Sequence, residues 1–272
     1  MNNTGEFTII MEAEEYIMYF KNVNEYKDNR FKISQKNRAE IEEVTRRIEI
    51  DPEDEVNFNE RGILFDEIGD YEKAIEDYTR AIELFSEYDE AYNNRGLSYE
   101  SLGQYKRAIE DYNKALEINS SNEDVYYNRA IAYENLEKHE EAAKDFSKAI
   151  ELNDEESDFY YNRGLCYEAL GNYEDAIKDY TKAIDLNNED DEVYSCRAVC
   201  YEKAGEYRKA VDDYGKILSF DEENTDALFN RAVCYEELKE YEKAKADYSK
   251  VLSIDTHDKE AYIRLKKCEN IK

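Results

Sequence analysis

The chain has 272 residues, 41% of them apolar and 13% aromatic, with 67 Asp and Glu against 37 Lys and Arg and a formal net charge of −30. Such an excess of carboxylates excludes a clustered-base nucleic-acid surface and disfavours an anionic bilayer, while the apolar fraction is too high for a disordered acidic tail. One Pro and nine Gly leave few turn residues, which points to helices joined by short, similar connections.

The first twenty residues include Met11-Glu12-Ala13-Glu14-Glu15-Tyr16, acids where a signal peptide needs a basic start and an unbroken apolar stretch. Export by that route is not expected, and no apolar run approaches the roughly 20 residues of a membrane span. Residues 1–20 read as a leading helix or cap. Residues 21–54 read as a degenerate form of the unit that follows, with a helix expected over 37–50, marked by Ile41, Val44 and Ile48, and with the single proline, Pro52, in the connection.

From residue 55 the sequence repeats with a period of 34. Tyr92-Asn93-Asn94-Arg95-Gly96, Tyr126-Tyr127-Asn128-Arg129-Ala130 and Tyr160-Tyr161-Asn162-Arg163-Gly164 mark it, and six copies fit without insertion at 55–88, 89–122, 123–156, 157–190, 191–224 and 225–258. In each, apolar or small residues fall at places 4, 8, 11, 20, 24 and 27, a helical spacing interrupted once, so each copy is two helices. The interruption is place 15, where Gly69, Gly103, Gly171 and Gly205 suit a left-handed helix end, and Glu137 and Lys239 replace them in two copies. Place 8 is Gly or Ala, place 20 is always Ala, and place 24 is Tyr or Phe, so a large ring faces small partners.

These residues resemble the tetratricopeptide repeat family: the period of 34, an aromatic at 4, a small residue at 8, a ring at 11 and 24, and Ala at 20. The resemblance implies an all-α, right-handed superhelical solenoid of antiparallel helix pairs that acts in protein–protein interaction. Two places depart from the family. Arg61, Arg95, Arg129, Arg163, Arg197 and Arg231 occupy place 7, usually aliphatic, and the usual Pro at place 32 is absent from all six copies. Asp77, Asp111, Asp145, Asp179, Asp213 and Asp247 at place 23 accompany those arginines, which predicts a repeated ion pair, since a buried Arg needs a partner. Residues 259–272, with Ala261, Tyr262, Leu265 and Cys268, continue the first-helix pattern and read as a capping helix.

Four of five cysteines, Cys166, Cys200, Cys234 and Cys268, recur at the same period, which marks a structural position rather than a disulfide framework or metal site. A reduced, cytoplasmic setting is expected. His139 and His257 stand at unrelated places, and no nucleophile, phosphate loop or paired catalytic carboxylates emerge, so neither enzymatic activity, a cofactor nor a metal is expected. His139 replaces the Tyr of place 17 and reads as a packing substitution.

The resemblance further implies a concave surface lined by first-helix places 2, 5, 6, 9, 12 and 13. Place 2 holds Glu90, Asp124, Asp158, Glu192 and Asp226, and place 12 holds Asp66, Glu100, Glu134, Glu168, Glu202 and Glu236, two acidic rows expected to border a groove. Between them lie Asn94, Asn128, Asn162 and Asn230, amides suited to a peptide backbone, and the pairs Tyr127 with Ile131, Tyr161 with Leu165 and Phe229 with Val233. One reading is an apolar strip walled by carboxylates that takes a basic or amphipathic segment of another protein. The other is that place 9 packs between neighbouring first helices and the acids form a solvated face. Self-assembly through the solenoid ends and service as a regulatory subunit for an enzyme on another chain are the alternatives, and the expected state is a monomer or weak homo-oligomer.

Overall fold

The computed structural model describes residues 36–270; the leading segment 1–20 and the first part of the degenerate repeat lie outside them. All regular elements among the described residues are helices, and none is long and apolar enough to cross a membrane. The chain divides into two compact units, Met1–Gly103 and Gln104–Lys272.

In the first unit, α1 (36–50) is followed by α2 (Glu55–Glu67), α3 (Tyr71–Leu84) and α4 (Asp89–Ser101). The α1 helix coincides with the one expected over 37–50. Ile48 from it packs against a cluster of Phe58, Ala81, Ile82 and Ala91, so α1 lies on the α2–α3 hairpin as a preceding second helix would. Its Thr45 holds the register of place 25, and the Arg61 guanidinium donates to the Thr45 hydroxyl at 3.2 Å.

The second unit contains α5 (Tyr105–Ile118), α6 (Glu123–Glu134), α7 (His139–Leu152), α8 (Ser157–Ala169), α9 (Tyr173–Leu186), α10 (Asp191–Lys203), α11 (Tyr207–Phe220), α12 (Thr225–Glu237), α13 (Tyr241–Ile254) and α14 (Lys259–Glu269). Within this unit consecutive helices from α5 to α14 pack on one another, hairpin stacked on hairpin, which is the all-α solenoid arrangement.

Short-range chemistry sets the boundaries. Asp54, Asn122, Asp190, Asn224 and Asp258 accept first-turn N–H groups and start the first helices. Those helices end where place 15 adopts a positive φ: 78° at Gly69, 75° at Gly171, and still 58° and 60° at Glu137 and Lys239. Around Gly69 the Asp70 N–H reaches the Phe65 carbonyl while the Gly69 N–H reaches that of Asp66, a Schellman closure. Copies without glycine therefore keep the same turn at the expense of a left-handed side chain, about 1–2 kcal/mol.

In place of the family's proline, an Asn or Asp at place 31 organises the connection between copies. Asn119, Asn153, Asn187, Asp221 and Asp255 each accept the N–H two residues on, a side-chain turn that needs no fixed φ.

Small-against-large packing is realised throughout. The alanines at place 20 and the rings at place 24 are essentially inaccessible in every copy, each ring contributing roughly 1.5–3 kcal/mol by its burial. The fit is close: a Cβ on Gly164 would fall 2.6 Å from Cε1 of Tyr180.

Candidate functional site

Three columns of acidic residues run along these hairpins, and their surroundings decide what each can do. The aspartates at place 23 are buried and clamped. Arg163 donates from Nε and Nη2 to the two oxygens of Asp179, both at 2.7 Å, and from Nη1 to Ser147 of the preceding copy at 2.9 Å. Arg61, Arg129 and Arg197 repeat the double contact with Asp77, Asp145 and Asp213 and the third contact with Thr45, Asn113 and Thr181. Each guanidinium thus ties a helix pair together and ties that pair to its predecessor, in the fork geometry a lysine cannot reproduce. Arg231 holds Asp247, but the place-25 residue before it is Gly215, which offers no side-chain oxygen.

The carboxylates at place 12 form a second internal network. Tyr hydroxyls at place 24 donate to them within a copy: Tyr78 to Asp66, Tyr180 to Glu168, Tyr214 to Glu202 and Tyr248 to Glu236, at 2.5–2.9 Å. A donor at place 10 of the next copy reaches the same group. Ser98 donates to Asp66 at 2.7 Å, the Cys166 thiol to Glu134 at 3.1 Å, and Cys200 and Cys234 hydrogen-bond Glu168 and Glu202.

Burial, and then the adjacent carboxylates, push the thiols up, Cys200 to about 12, so they stay protonated and serve as donors rather than nucleophiles. The third copy has Phe146 at place 24 and so lacks the phenol; there His139 Nδ1 lies 2.9 Å from Glu134. His139, expected as a packing substitution, is thus placed as a hydrogen-bonding partner of Glu134. The coincidence of Phe at place 24 with His at place 17 is one mark of this network in the sequence, and the Ser and Cys at place 10 are another.

At the C-terminal end, Arg264 of α14 donates to Glu236 at 3.1 Å and lies 5.6 Å from the centre of the Phe229 ring, with the Lys267 ammonium 3.5 Å from the same carboxylate. Burial pushes Glu236 up, but hydrogen bonds from Tyr248 and Arg264 outweigh it and hold the carboxyl below its ordinary value.

Place 2 differs from both. Glu90, Asp124, Asp158, Glu192 and Asp226 are all exposed in the first turns of their helices. In the first unit Glu90 accepts from Asn59, whose amide oxygen in turn accepts from Asn94. In the second unit Asn162 donates to the Asp158 carbonyl of its own helix at 2.8 Å and lies 3.5 Å from the Tyr127 hydroxyl. Asn128, Asn230 and Glu100 are half-buried.

The apolar strip lies beside this row and is half-buried. Tyr127 packs on Phe146 and Phe159 with ring centres 5.7 and 5.2 Å apart, Tyr161 on Tyr180 at 6.1 Å, and Phe229 on Tyr248 at 5.6 Å. Ile131, Leu165 and Val233 flank them, partly covered by the same clusters. Each strip residue has one side in the core and the other available, so place 9 belongs to both readings of the sequence. The place-2 acids of the second unit are exposed on the same helices as the strip, whereas Glu134, Glu168, Glu202 and Glu236 are engaged by hydroxyl, thiol or imidazole groups.

The tetratricopeptide repeat family model matches residues 89–122, 123–155, 157–190 and 225–258, and a further TPR repeat model matches 62–103. Among solved structures, the C-terminal part of a TPR repeat-containing protein from Cytophaga hutchinsonii is 20% identical, with a TM-score of 0.72 over 88% of this chain and 99% of that one. YrrB, described as a TPR protein with an unusual peptide-binding site, is 24% identical with a TM-score of 0.62 over 68% of this chain and 95% of its own. MamA is 26% identical, TM-score 0.57, over 61% of this chain and 96% of its own. No curated protein matches the chain in sequence. With repeat matches over most of 62–258 and hairpins stacked on a 34-residue frame, the chain belongs to the tetratricopeptide repeat family.

Proposed function

We propose that this protein is a non-catalytic scaffold whose first-helix face in the second unit takes a basic or amphipathic segment of a protein partner. Family membership supports the scaffold role. The observation that carries the finer reading is a half-buried strip, Tyr127, Ile131, Tyr161, Leu165 and Phe229, on helices whose first turns expose Asp124, Asp158 and Asp226. An aromatic ring that is packed on one side gives contact area at little further entropic cost, and the acids steer and orient a cationic partner.

The test is capture of synthetic amphipathic peptides, one set carrying Lys and Arg and a matched set carrying Glu, by fluorescence anisotropy across a salt series. Preferential binding of the basic set that weakens as salt rises is the expected result. Equal binding of the two sets, or cross-links that map to the second helices α7, α9 and α11, would overturn it.

A further inference from the structure

A capping helix is expected to turn a polar outer face to solvent. The α14 helix departs from this. On its inner side Ala261, Leu265 and Cys268 join the cluster of Tyr248 and Val251. On its outer side Lys259, Tyr262, Ile263 and Lys266 fall at i, i+3, i+4 and i+7, with Tyr262 and Ile263 54% and 65% exposed. Lys266 stands 5.8 Å from the centre of the Tyr262 ring and pairs with Glu269 at 2.7 Å.

The 34-residue frame accounts for this stripe. As a first helix, α14 carries Tyr262, Ile263 and Lys266 at places 4, 5 and 8. In complete copies the second helix covers those places. The Tyr194 ring at place 4 lies 6.3 Å from Phe220, Tyr161 at place 5 lies 6.1 Å from Tyr180, and a Cβ on Gly164 at place 8 would meet the same Tyr180 ring. Among the described residues no second helix lies on α14, so one half of a hairpin contact faces outward. Lys266 at place 8 blocks the usual place-24 ring and offers a cation instead, and Leu265 replaces the clamp arginine of place 7, so the face suits an aliphatic, acidic helix.

The sequence carries a segment of that chemistry before the described residues. Over residues 9–20, Ile9, Ile10, Ala13, Tyr16, Ile17 and Phe20 recur at the spacing of one helix face, Glu12 and Glu14 border it, and no Lys or Arg occurs. We propose that the outer face of α14 is an interface between copies of this chain, on which residues 9–20 of a second molecule dock as the helix that this hairpin lacks. Residues 259–272 hold five bases and two acids in a chain of net charge −30, so this end attracts an acidic segment that the acidic first-helix faces repel. Repeats of an array meet only their neighbours in chain order, so the donor is another molecule, and the contact runs head to tail.

The test is the mass of the full chain by light scattering over a concentration series, with two variants. Wild type should grow past a dimer as concentration rises. Ile263→Glu, at an exposed position, and Ile17→Glu should each weaken association about tenfold or more with unchanged melting, since each places a charge in the contact. An equimolar mixture of the two should form dimers that grow no further, because one intact face and one intact segment remain for a single junction. A synthetic peptide of residues 1–20 should shorten the wild-type assemblies and cross-link to α14. A wild type that keeps the mass of one chain at every concentration, Ile263→Glu assemblies as large as those of wild type, or a mixture without dimers would overturn the interface. Dimers of Ile17→Glu alone would overturn it as well, because they would place α14 against itself.

Discussion

Along α8, Asp158 and Glu168 are ten residues apart and carry the same charge. Asp158 sits in the first turn, exposed, with its backbone carbonyl accepting from Asn162. Glu168 sits in the last turn and accepts from the Tyr180 hydroxyl of its own copy and from Cys200 of the next. The contrast recurs in the fifth copy, where Glu192 is exposed and Glu202 accepts from Tyr214 and from Cys234 of the next copy, and it shows that the position of a donor one copy away, not the charge itself, decides whether a carboxylate holds the stack or stays at the surface. A protein with a net charge of −30 can therefore be held together in part by its acids.

The largest expected effect tests the holding set at its strongest point. Arg163→Met leaves Asp179 buried without its cation, a loss of about 3–5 kcal/mol, and should lower Tm by on the order of 10 °C. Adding Asp179→Leu should recover much of that loss, because a well-packed apolar pair is often as stable as a buried ion pair. Unchanged melting of Arg163→Met would remove the clamp from the account. Next comes Glu168→Ala, which deprives a buried phenol and a buried thiol of their acceptor and should cost about 1–3 kcal/mol in chemical denaturation.

A smaller effect of opposite sign is expected at the one incomplete clamp. Gly215→Ser offers Arg231 the hydroxyl that Ser147 and Thr181 give its counterparts and removes a glycine from a helix interior, a gain of about 1 kcal/mol. Denaturation midpoints of the two proteins check it; a less stable Gly215→Ser would show that the third contact is dispensable.

The mildest effect concerns pH at Glu236. Its carboxyl is held below the ordinary 4.5, so the stability it contributes is fully present above that value and is lost as pH falls through the lower folded value. Glu236→Gln should flatten the acid limb of the stability profile measured between about pH 5 and pH 2. An identical profile would mean that Arg264 and Lys267 do not stabilise the charged form.

The hairpin frame was legible in the sequence because every copy buries the same faces, so period, small residues and rings recur together. The Arg–Asp clamp was legible for the same reason: six arginines at an apolar place needed six partners, and place 23 supplied them. The fate of the place-12 acids was not. Their donors lie 12 residues away at place 24 and 32 away at place 10, and which side of a helix faces the next copy depends on the stacking geometry. Ser98 and the cysteines at place 10 carried that information, but a small residue in a repeated position reads first as packing. The positive φ of Glu137 and Lys239 was legible only as a missing glycine, since the turn is imposed by the stacked neighbours rather than by local preference.

One paired measurement bears most directly on the division between holding and facing acids. Stability and basic-peptide affinity are recorded over a salt series for Glu168→Ala and for the triple variant Asp158→Asn, Glu192→Gln, Asp226→Asn. The triple variant should stay within about 0.5 kcal/mol of wild type in stability and lose most of its salt-dependent affinity, while Glu168→Ala should be clearly destabilised with its salt dependence intact. A triple variant that melts well before Glu168→Ala, with peptide binding unchanged, would contradict the account.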